Sequence, residues 1–294
     1  MKVLLAEYTT LHEPELASEG EAMVKTLKAS FERLGYEVLS PEKGDFKSEV
    51  RRLAGICDYG LVIAPDDLLA GFTQEMECIV HSVGTNSTNA ALCANKRLTA
   101  RLLSDHGIDV PREVTSGPRV IKPIKGVGAK NVRIADEEPG DGEFGQEFIE
   151  GDAISVSLIA SRVVGEACLW YSGAAPCILA INRQNVEIRD GKMIYHGGTT
   201  PIDHPRSEEI TAIAEKVVKI LGCQGYIGID MIVGDRIVVV DVNPRITTSL
   251  IGIAHLMEEE IGDLLIKASE GLALPPVHLK GTVSFDTHGG IYPE

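Results

Sequence analysis

The chain has 294 residues, 44% hydrophobic and 24% charged, with a net charge of −15 at pH 7, enough length for two or three packed subdomains of ordinary globular composition. No apolar run nears the roughly 18 residues that a membrane-spanning helix needs, and no Lys/Arg cluster offers the basic patch of a general nucleic-acid binder, so neither partner is expected. The six cysteines, Cys57, Cys78, Cys93, Cys168, Cys177 and Cys223, make no C-x-x-C pair, which argues against a zinc site; with "MKVLLAEYTT" too short and too interrupted for a signal peptide, they point to free thiols in a reducing cytoplasm.

In chain order, residues 2–7 read as a buried strand. Residues 19–34 read as a helix, with Met23, Leu27, Phe31 and Leu34 at helical spacing and Gly35 ending it. "YEVLSP" predicts a second strand, "EVRRLAGI" a helix, and "YGLVIAP" a third strand ending at Pro65. This β-α-β-α-β rhythm implies a small parallel sheet flanked by helices. Ligands gather at the carboxyl ends of such strands, where Glu7 and Tyr8 fall. A boundary is expected within residues 82–90, "SVGTNSTN". Beyond it, residues 86–104 read as one helix, and "HGIDVPREV" turns into a strand. Residues 119–135 read as strand, Gly-rich turn, strand, and "GQEFIEG" and "AISVSLIA" as further strands. Residues 207–221 form an amphipathic helix with Ser207 as candidate N-cap. After "YIGIDMIVGDRIVVVDVNP" come a helical stretch over 258–270 and a last strand in "GTVSFDTHGGIY".

Gly234-Asp235 between two apolar runs is a two-residue hairpin signal. If Val233 pairs with Arg236, Asp230 lies opposite Val239, and alternation puts Asp230, Asp241 and Asn243 on one face, Asp241 diagonal to Asp230. Such diagonals span about 7–8 Å, short enough for two carboxylates to share a cation. A carboxylate ending the run Val238-Val239-Val240 is costly unless something pairs with it. Hard oxygen ligands suit Mg²⁺, which completes its shell with water and phosphate. An exposed hairpin face with two unrelated acids, or an Asx turn at Asn243-Pro244, is the other reading.

Lys122 sits in apolar "VIKPI", so its ammonium is expected to face a pocket or a partner. Four residues on, Gly126-Val127-Gly128-Ala129 makes a Gly-rich turn able to lay N–H groups against phosphate oxygens. It is not a P-loop, nor a complete G-x-G-x-x-G, because Asn131 takes the last position; a loose hairpin turn is its other reading. Lys96 by itself reads as a solvated helix residue.

Taken together, "NKRLT", "VIKPIKGVGA", "QEFIEGD" and "GIDMIVGDRIVVVDVNPR", over about residues 95–245, resemble the ATP-grasp family of carboxylate–amine ligases. The resemblance implies an α/β chain whose ligase part is α+β. Its parts would be a parallel-sheet domain over 1–85, a small subdomain with the Gly-rich loop over 86–145, and a large subdomain with the metal site over 146–294, the last two gripping ATP. It implies that Lys96 and Lys122 bind ATP phosphates and that Gly126, Gly128 and Ala129 belong to a loop over them. Gln146, Glu147, Phe148 and Ile149 would be the hinge beside adenine. Asp230, Asp241 and Asn243 would hold Mg²⁺ (or Mn²⁺), and Arg245, with Lys122, would act on the transferring phosphoryl group. Two positions depart from the family pattern: Asp241 stands where Glu is common, and the ribose-binding acid would fall at Asp152 or at Ala153, which has no carboxylate. The short motifs "EYTT…SEGEAM", "INRQ" and "GGTTP" are similar to those of one subgroup that joins an amino acid to an amine.

The implied reaction is amide formation. A substrate carboxylate attacks the γ-phosphate of ATP, and an amine then attacks the acyl phosphate, behind a lid that excludes water. The expected partners are a small-molecule carboxylate and amine, with a homo-oligomer left open. Their site is expected between the N-terminal domain and residues 183–200: Glu7 for an ammonium, Arg183 for a carboxylate, and Gly197, Gly198 and Thr199 for close backbone and hydroxyl contacts. The alternatives are a structural or solvated Glu7, a surface Arg183 and an ordinary turn. Two rival functions are a non-catalytic nucleotide-binding protein, which would not need the whole Lys/Asp/Asp/Asn/Arg set, and a nicotinamide-dependent oxidoreductase, for which "LLAEYTTLHEPE" lacks the glycine fingerprint.

Overall fold

The computed structural model describes residues 1–42, 44–126, 131–162 and 175–294. The first part is a β/α unit: β1 (Lys2–Glu7), α1 (Thr9–His12), α2 (Ala17–Arg33), β2 (Glu37–Leu39), α3 (Phe46–Ala54), β3 (Tyr59–Ile63), α4 (Asp66–Glu77) and β4 (His81–Ser82). Its strands form a parallel sheet in the order β2-β1-β3-β4. Val3 to Glu7 of β1 are all buried, because both faces of the sheet are covered. Val3 and Leu5 pack with Met23, Leu27 and Phe31 of α2, and Leu4 and Ala6 pack with Phe46, Val50 and Leu53 of α3. Asp45 caps α3 through the N–H of Ser48 at 2.9 Å, so this helix begins before the apolar pattern that predicts it.

Then follow α5 (Ser87–Ala94), α6 (Lys96–Asp105), β5 (Arg119–Pro123), β6 (Arg133–Ala135), β7 (Glu143–Gln146), β8 (Asp152–Ala160), β9 (Cys177–Arg189), β10 (Lys192–Thr200) and α7 (Ser207–Leu221). The chain continues with β11 (Gly225–Val233), β12 (Ile237–Asn243), α8 (Ser249–Leu256), α9 (Ile261–Ser269), β13 (Val283–Phe285) and β14 (Ile291–Pro293). Among the described residues these strands make one antiparallel sheet, ordered β12-β11-β8-β9-β10-β6-β5-β7, with β13 on β10 and β14 on β13. The α+β character expected of the later part is what the chain adopts. One core runs across both parts: α2 residues Leu27 and Phe31 pack in the same cluster as Tyr226, Leu250, Ile261, Leu264 and Leu265.

Several expectations change in detail. The helix expected over 86–104 is two, because Asn95 leaves helical geometry and its side chain accepts from the N–H of Leu98 at 3.0 Å. That cap makes Lys96 the first residue of α6. "HGIDVPREV" is extended but forms only the isolated pairing Glu113↔Gln146. The strand expected at "GQEFIEG" ends at Gln146. Ser207 does not cap α7; its hydroxyl donates to the His204 carbonyl at 2.7 Å and closes the preceding turn. The β11–β12 hairpin pairs Val233 with Ile237, not Arg236, and a bulge at Val240 brings Asp241 directly opposite Asp230 rather than onto its diagonal.

Candidate functional site

A cavity of about 510 Å³ opens between the carboxyl ends of β1 and β3 and the β8–β11–β12 face of the large sheet. Its charged end is built from four elements. The first turn of α6 brings Lys96, β5 brings Lys122, the β11–β12 ladder brings Asp230 and Asp241 side by side, and the end of β12 brings Asn243 and Arg245. These six residues, scattered over 150 positions of sequence, share one wall. Lys96 Nζ donates to Asp241 and, at 3.4 Å, to Asp66. Arg245 Nε donates to Asp66 Oδ1 at 3.0 Å and its Nη2 to Asn243 Oδ1 at 3.2 Å. Lys122 Nζ donates to the Val240 carbonyl at 2.9 Å and lies 5.4 Å above the centre of the Phe144 ring.

Burial and charge set the protonation of this wall. Burial pushes the Lys122 ammonium down to about 8, against the pull of Asp241. Burial also works against the charge on Lys96, but Asp241 and Asp66 outweigh it and its pKa is raised. Asp241 is buried too, yet Lys96 and Lys122 hold it below the usual carboxylate range. Among the described residues Asp230 has no cation in hydrogen-bond contact. Its oxygens accept from the amides of Gln184 at 2.9 Å and Asn243 at 3.2 Å, and burial together with the Asp241 charge pushes it up to about 7. Two carboxylates held opposite each other, one of them lacking a direct cationic partner, are a donor set that fits a divalent cation. Among the described residues no group of three or more His, Cys, Asp or Glu is placed for a metal, so the remaining protein oxygen would come from the Asn243 amide.

The cavity is also lined by Gln146, Glu147, Phe148 and Ile149 with Val120, Val186, Ile188, Met193 and Ile232, a largely apolar set. Gln146 is buried with its amide on the Pro111 carbonyl at 3.1 Å. Glu147 points away into a clamp formed by Arg112 and Arg236. Gly126 reaches the cavity wall, whereas Gly128 and Ala129, like Cys168, lie outside the described residues. Asp152 does not line the cavity; its carboxylate is exposed, 3.6 Å from His204. The acid that does reach the wall after the hinge is Glu150, because Gly151, with φ 153°, redirects the chain before β8 starts.

The substrate residues expected on β9 and β10 are placed differently. Arg183, Gly197, Gly198 and Thr199 do not line the cavity. Alternation along β9 gives the cavity Gln184 instead of Arg183. A Cβ on Gly197 would stand 2.0 Å from the Phe285 carbonyl, and one on Gly198 2.2 Å from the Arg183 carbonyl, so these glycines admit neighbouring strands rather than a ligand. The Thr199 hydroxyl is engaged with Ser284 and Glu294. Glu7 does line the cavity, but its two oxygens accept from the N–H and hydroxyl groups of Thr9 and Thr10. Four donors use the acceptor capacity of one carboxylate, which leaves none for a substrate ammonium. The cavity also contains Glu19, joined to the Thr248 hydroxyl, and the Tyr195 ring. Asp66, Gln184, Glu19 and Glu150 were not anticipated as site residues. For Asp66 a signal existed: it follows Pro65 at the carboxyl end of the third parallel strand, the same position rule that pointed to Glu7.

A family model, the ATP-grasp domain, matches residues 93–249. The chain is 35% identical over 214 residues to tyramine–L-glutamate ligase of Methanocaldococcus fervens, covering 71% of this chain and 65% of that protein. It is 33% identical over 215 residues to the enzyme of the same name from Methanocaldococcus jannaschii, covering 71% and 62%. The chain thus spans less than two thirds of the length of these curated relatives. Its fold is similar to the crystal structure of an ATP-grasp superfamily protein from Archaeoglobus fulgidus, with a TM-score of 0.77 and 25% identity over 97% of this chain and 92% of that one. The family model covers more than half of the chain and includes Lys96, Lys122, Asp230, Asp241, Asn243 and Arg245; the chain belongs to the ATP-grasp family.

Proposed function

We propose that the chain is an ATP- and Mg²⁺-dependent carboxylate–amine ligase that joins L-glutamate to tyramine. The observation that carries this reading is the shared wall: Asp230 opposite Asp241, with Lys96, Lys122 and Arg245, in one cavity with the apolar side chains of Val120, Phe148, Ile149, Met193 and Ile232. The substrate pair rests on the names of the two Methanocaldococcus relatives, and a different amino acid–amine pair is the alternative. When bound, a divalent ion on Asp230, Asp241 and Asn243 would withdraw charge from the transferring phosphoryl group. Lys96 and Lys122 bind phosphate oxygens, and Arg245 steadies the γ-phosphoryl group as a substrate carboxylate oxygen bonds to it and the bond to ADP breaks. The amine nitrogen then attacks the acyl carbon; phosphate leaves and the nitrogen loses a proton. Glu150 is the ribose acid of this reading, in place of Asp152. The reaction takes place in the cytoplasm, a location supported by the free thiols of Cys57, Cys78, Cys93, Cys177 and Cys223; no helix among the described residues is long and apolar enough to cross a membrane.

The test is ADP release and product mass with the purified chain, Mg²⁺ and ATP. Release is expected only when L-glutamate and tyramine are both present, with a product heavier than tyramine by glutamate less one water. ADP release from another pair in a panel of amino acids and amines would move the substrate assignment. Release that needs no amine, or none with any pair, would overturn the ligase reading.

A further inference from the structure

Polar side chains at the Lys96 and Arg245 end of the cavity close into a ring through Asp66, which contacts both cations but does not itself line the cavity. Asp66 accepts from Arg245 Nε at 3.0 Å, Arg245 donates to Asn243 at 3.2 Å, and Asn243 donates to Asp230 at 3.2 Å. Asp230 faces Asp241 across the ladder, Asp241 accepts from Lys96, and Lys96 returns to Asp66 at 3.4 Å. Five of the six members fall within the family-matched residues 93–249; Asp66 does not. It is the first residue of α4, 4% exposed, and both its oxygens are committed to cations from the other part of the chain.

Two consequences follow from this placement. Lys and Arg lose rotamer freedom when ordered, and a fixed carboxylate between Lys96 and Arg245 orders both before any ligand arrives. The bond to Nε also fixes the guanidinium plane. The same carboxylate is an anion beside the place where phosphates must sit, so phosphate and Asp66 draw on the same two cations.

Resting on the nucleotide-binding part of the reading above, we propose that Asp66 is a positioning residue and a resident competitor of phosphate. It holds Lys96 and Arg245 in the geometry needed for phosphoryl transfer, and by competing for them it keeps ADP from being held too tightly. Removing its charge therefore has opposite effects on binding and on turnover, which loss of structural support alone would not produce.

The experiment compares wild type, Asp66→Asn, Asp66→Ser and Asp66→Glu, with melting curves as the check on folding. Calorimetry reads the affinity for ADP, for inorganic tripolyphosphate and for adenosine, without added metal. Expected for Asp66→Asn and Asp66→Ser is binding of ADP and tripolyphosphate about 3- to 10-fold tighter, the size of one released ion-pair partner, with adenosine unchanged. In the ligase assay kcat falls at least roughly tenfold without a rise in KM for ATP, and Asp66→Glu restores affinity toward the wild-type value. Weaker or unchanged phosphate affinity overturns the proposal, as does loss of the folded transition in both neutral variants, which makes Asp66 structural support. If wild type binds neither ADP nor tripolyphosphate, the ligase reading and the proposal fall together. If it binds both but forms no amide, only the ligase reading falls and the affinities still decide the role of Asp66.

Discussion

Lys122 and Glu7 are both buried at the cavity wall, and their hydrogen bonds give them different roles. The ammonium of Lys122 has a neutral carbonyl as its partner, and burial lowers its pKa; a phosphate oxygen would supply the missing counter-charge. Lys122→Ala is expected to weaken ATP binding by about tenfold to a hundredfold, the cost of one charge-assisted contact, as read by calorimetry. Unchanged affinity would assign the ammonium to Val240 alone. Glu7 is saturated by Thr9 and Thr10. In Glu7→Gln the amide –NH₂ replaces one oxygen and must face a backbone N–H donor and a hydroxyl, so stability should fall by about 1–3 kcal/mol, with no selective change in KM for an organic substrate. A selective KM rise in a stably folded variant would return Glu7 to substrate binding. The residues that sequence reasoning reached were those whose chemistry clashes with their apolar surroundings: Lys122 in "VIKPI" and Asp241 after three valines. Asp66 had only the positional signal of a parallel-strand end: its partner Arg245 lies 179 positions away, and a carboxylate at the start of an ordinary helix gives no local conflict.

Among the elements, those with a clean period were legible. The 3.6-residue spacing of α2 and α7 and the alternation of β8 located them to within a few residues. Helix α8, "SLIGIAHL", is apolar on all sides and buried, so periodicity carries no signal there, and α4 mixes acids, glycine and leucine. The bulge at Val240 was beyond reach, since a turn signal sets the register only if nothing interrupts the ladder. The hinge after β7 carries a test of its own. Hydrogen bonds from Arg112, joined by Arg236, hold the Glu147 carboxyl at about 2 against the opposing effect of burial. Its native pKa lies below its unfolded value, so its stabilisation is complete above about pH 4.5 and is lost as pH falls toward 2. Glu147→Gln should therefore melt at a lower temperature than wild type at pH 7. The gap should close between pH 4.5 and 2. A gap that persists at the acid end would mean that the substitution acts through packing and not through the ion pairs.

At the scale of the whole molecule, the division expected near residues 82–90 separates two sheets, each with a cluster of its own, but a third cluster runs across it. Leu27 and Phe31 of α2 cover Leu264 and Leu265 of α9 and Leu250 of α8, an arrangement that no local pattern announces. A chain of residues 86–294 would expose that face to water, at about 25 cal/mol per Å² of apolar surface. Its own cluster around α7, β8 and β11 remains, so it is expected to melt well below the intact chain, and an unchanged melting temperature in calorimetry would show that the shared cluster adds no stability. The shared core also distributes stiffness unevenly. The first sheet, α8, α9 and strands β8 to β11 form one packed block, so that jaw of the cavity is expected to be the stiffer one. Strands β5, β6 and β7 meet the block through one ladder pair, Arg133↔Lys192, its flanking backbone bonds, and polar contacts such as that of Lys122 with Val240. Compliance is expected in that seam, with the three-strand unit moving relative to the block. Native-state hydrogen exchange should find the amides of β5 and β7 opening well before those of β8 and β11, with nucleotide slowing the first set and leaving the second unchanged; equal protection throughout would place the moving part elsewhere.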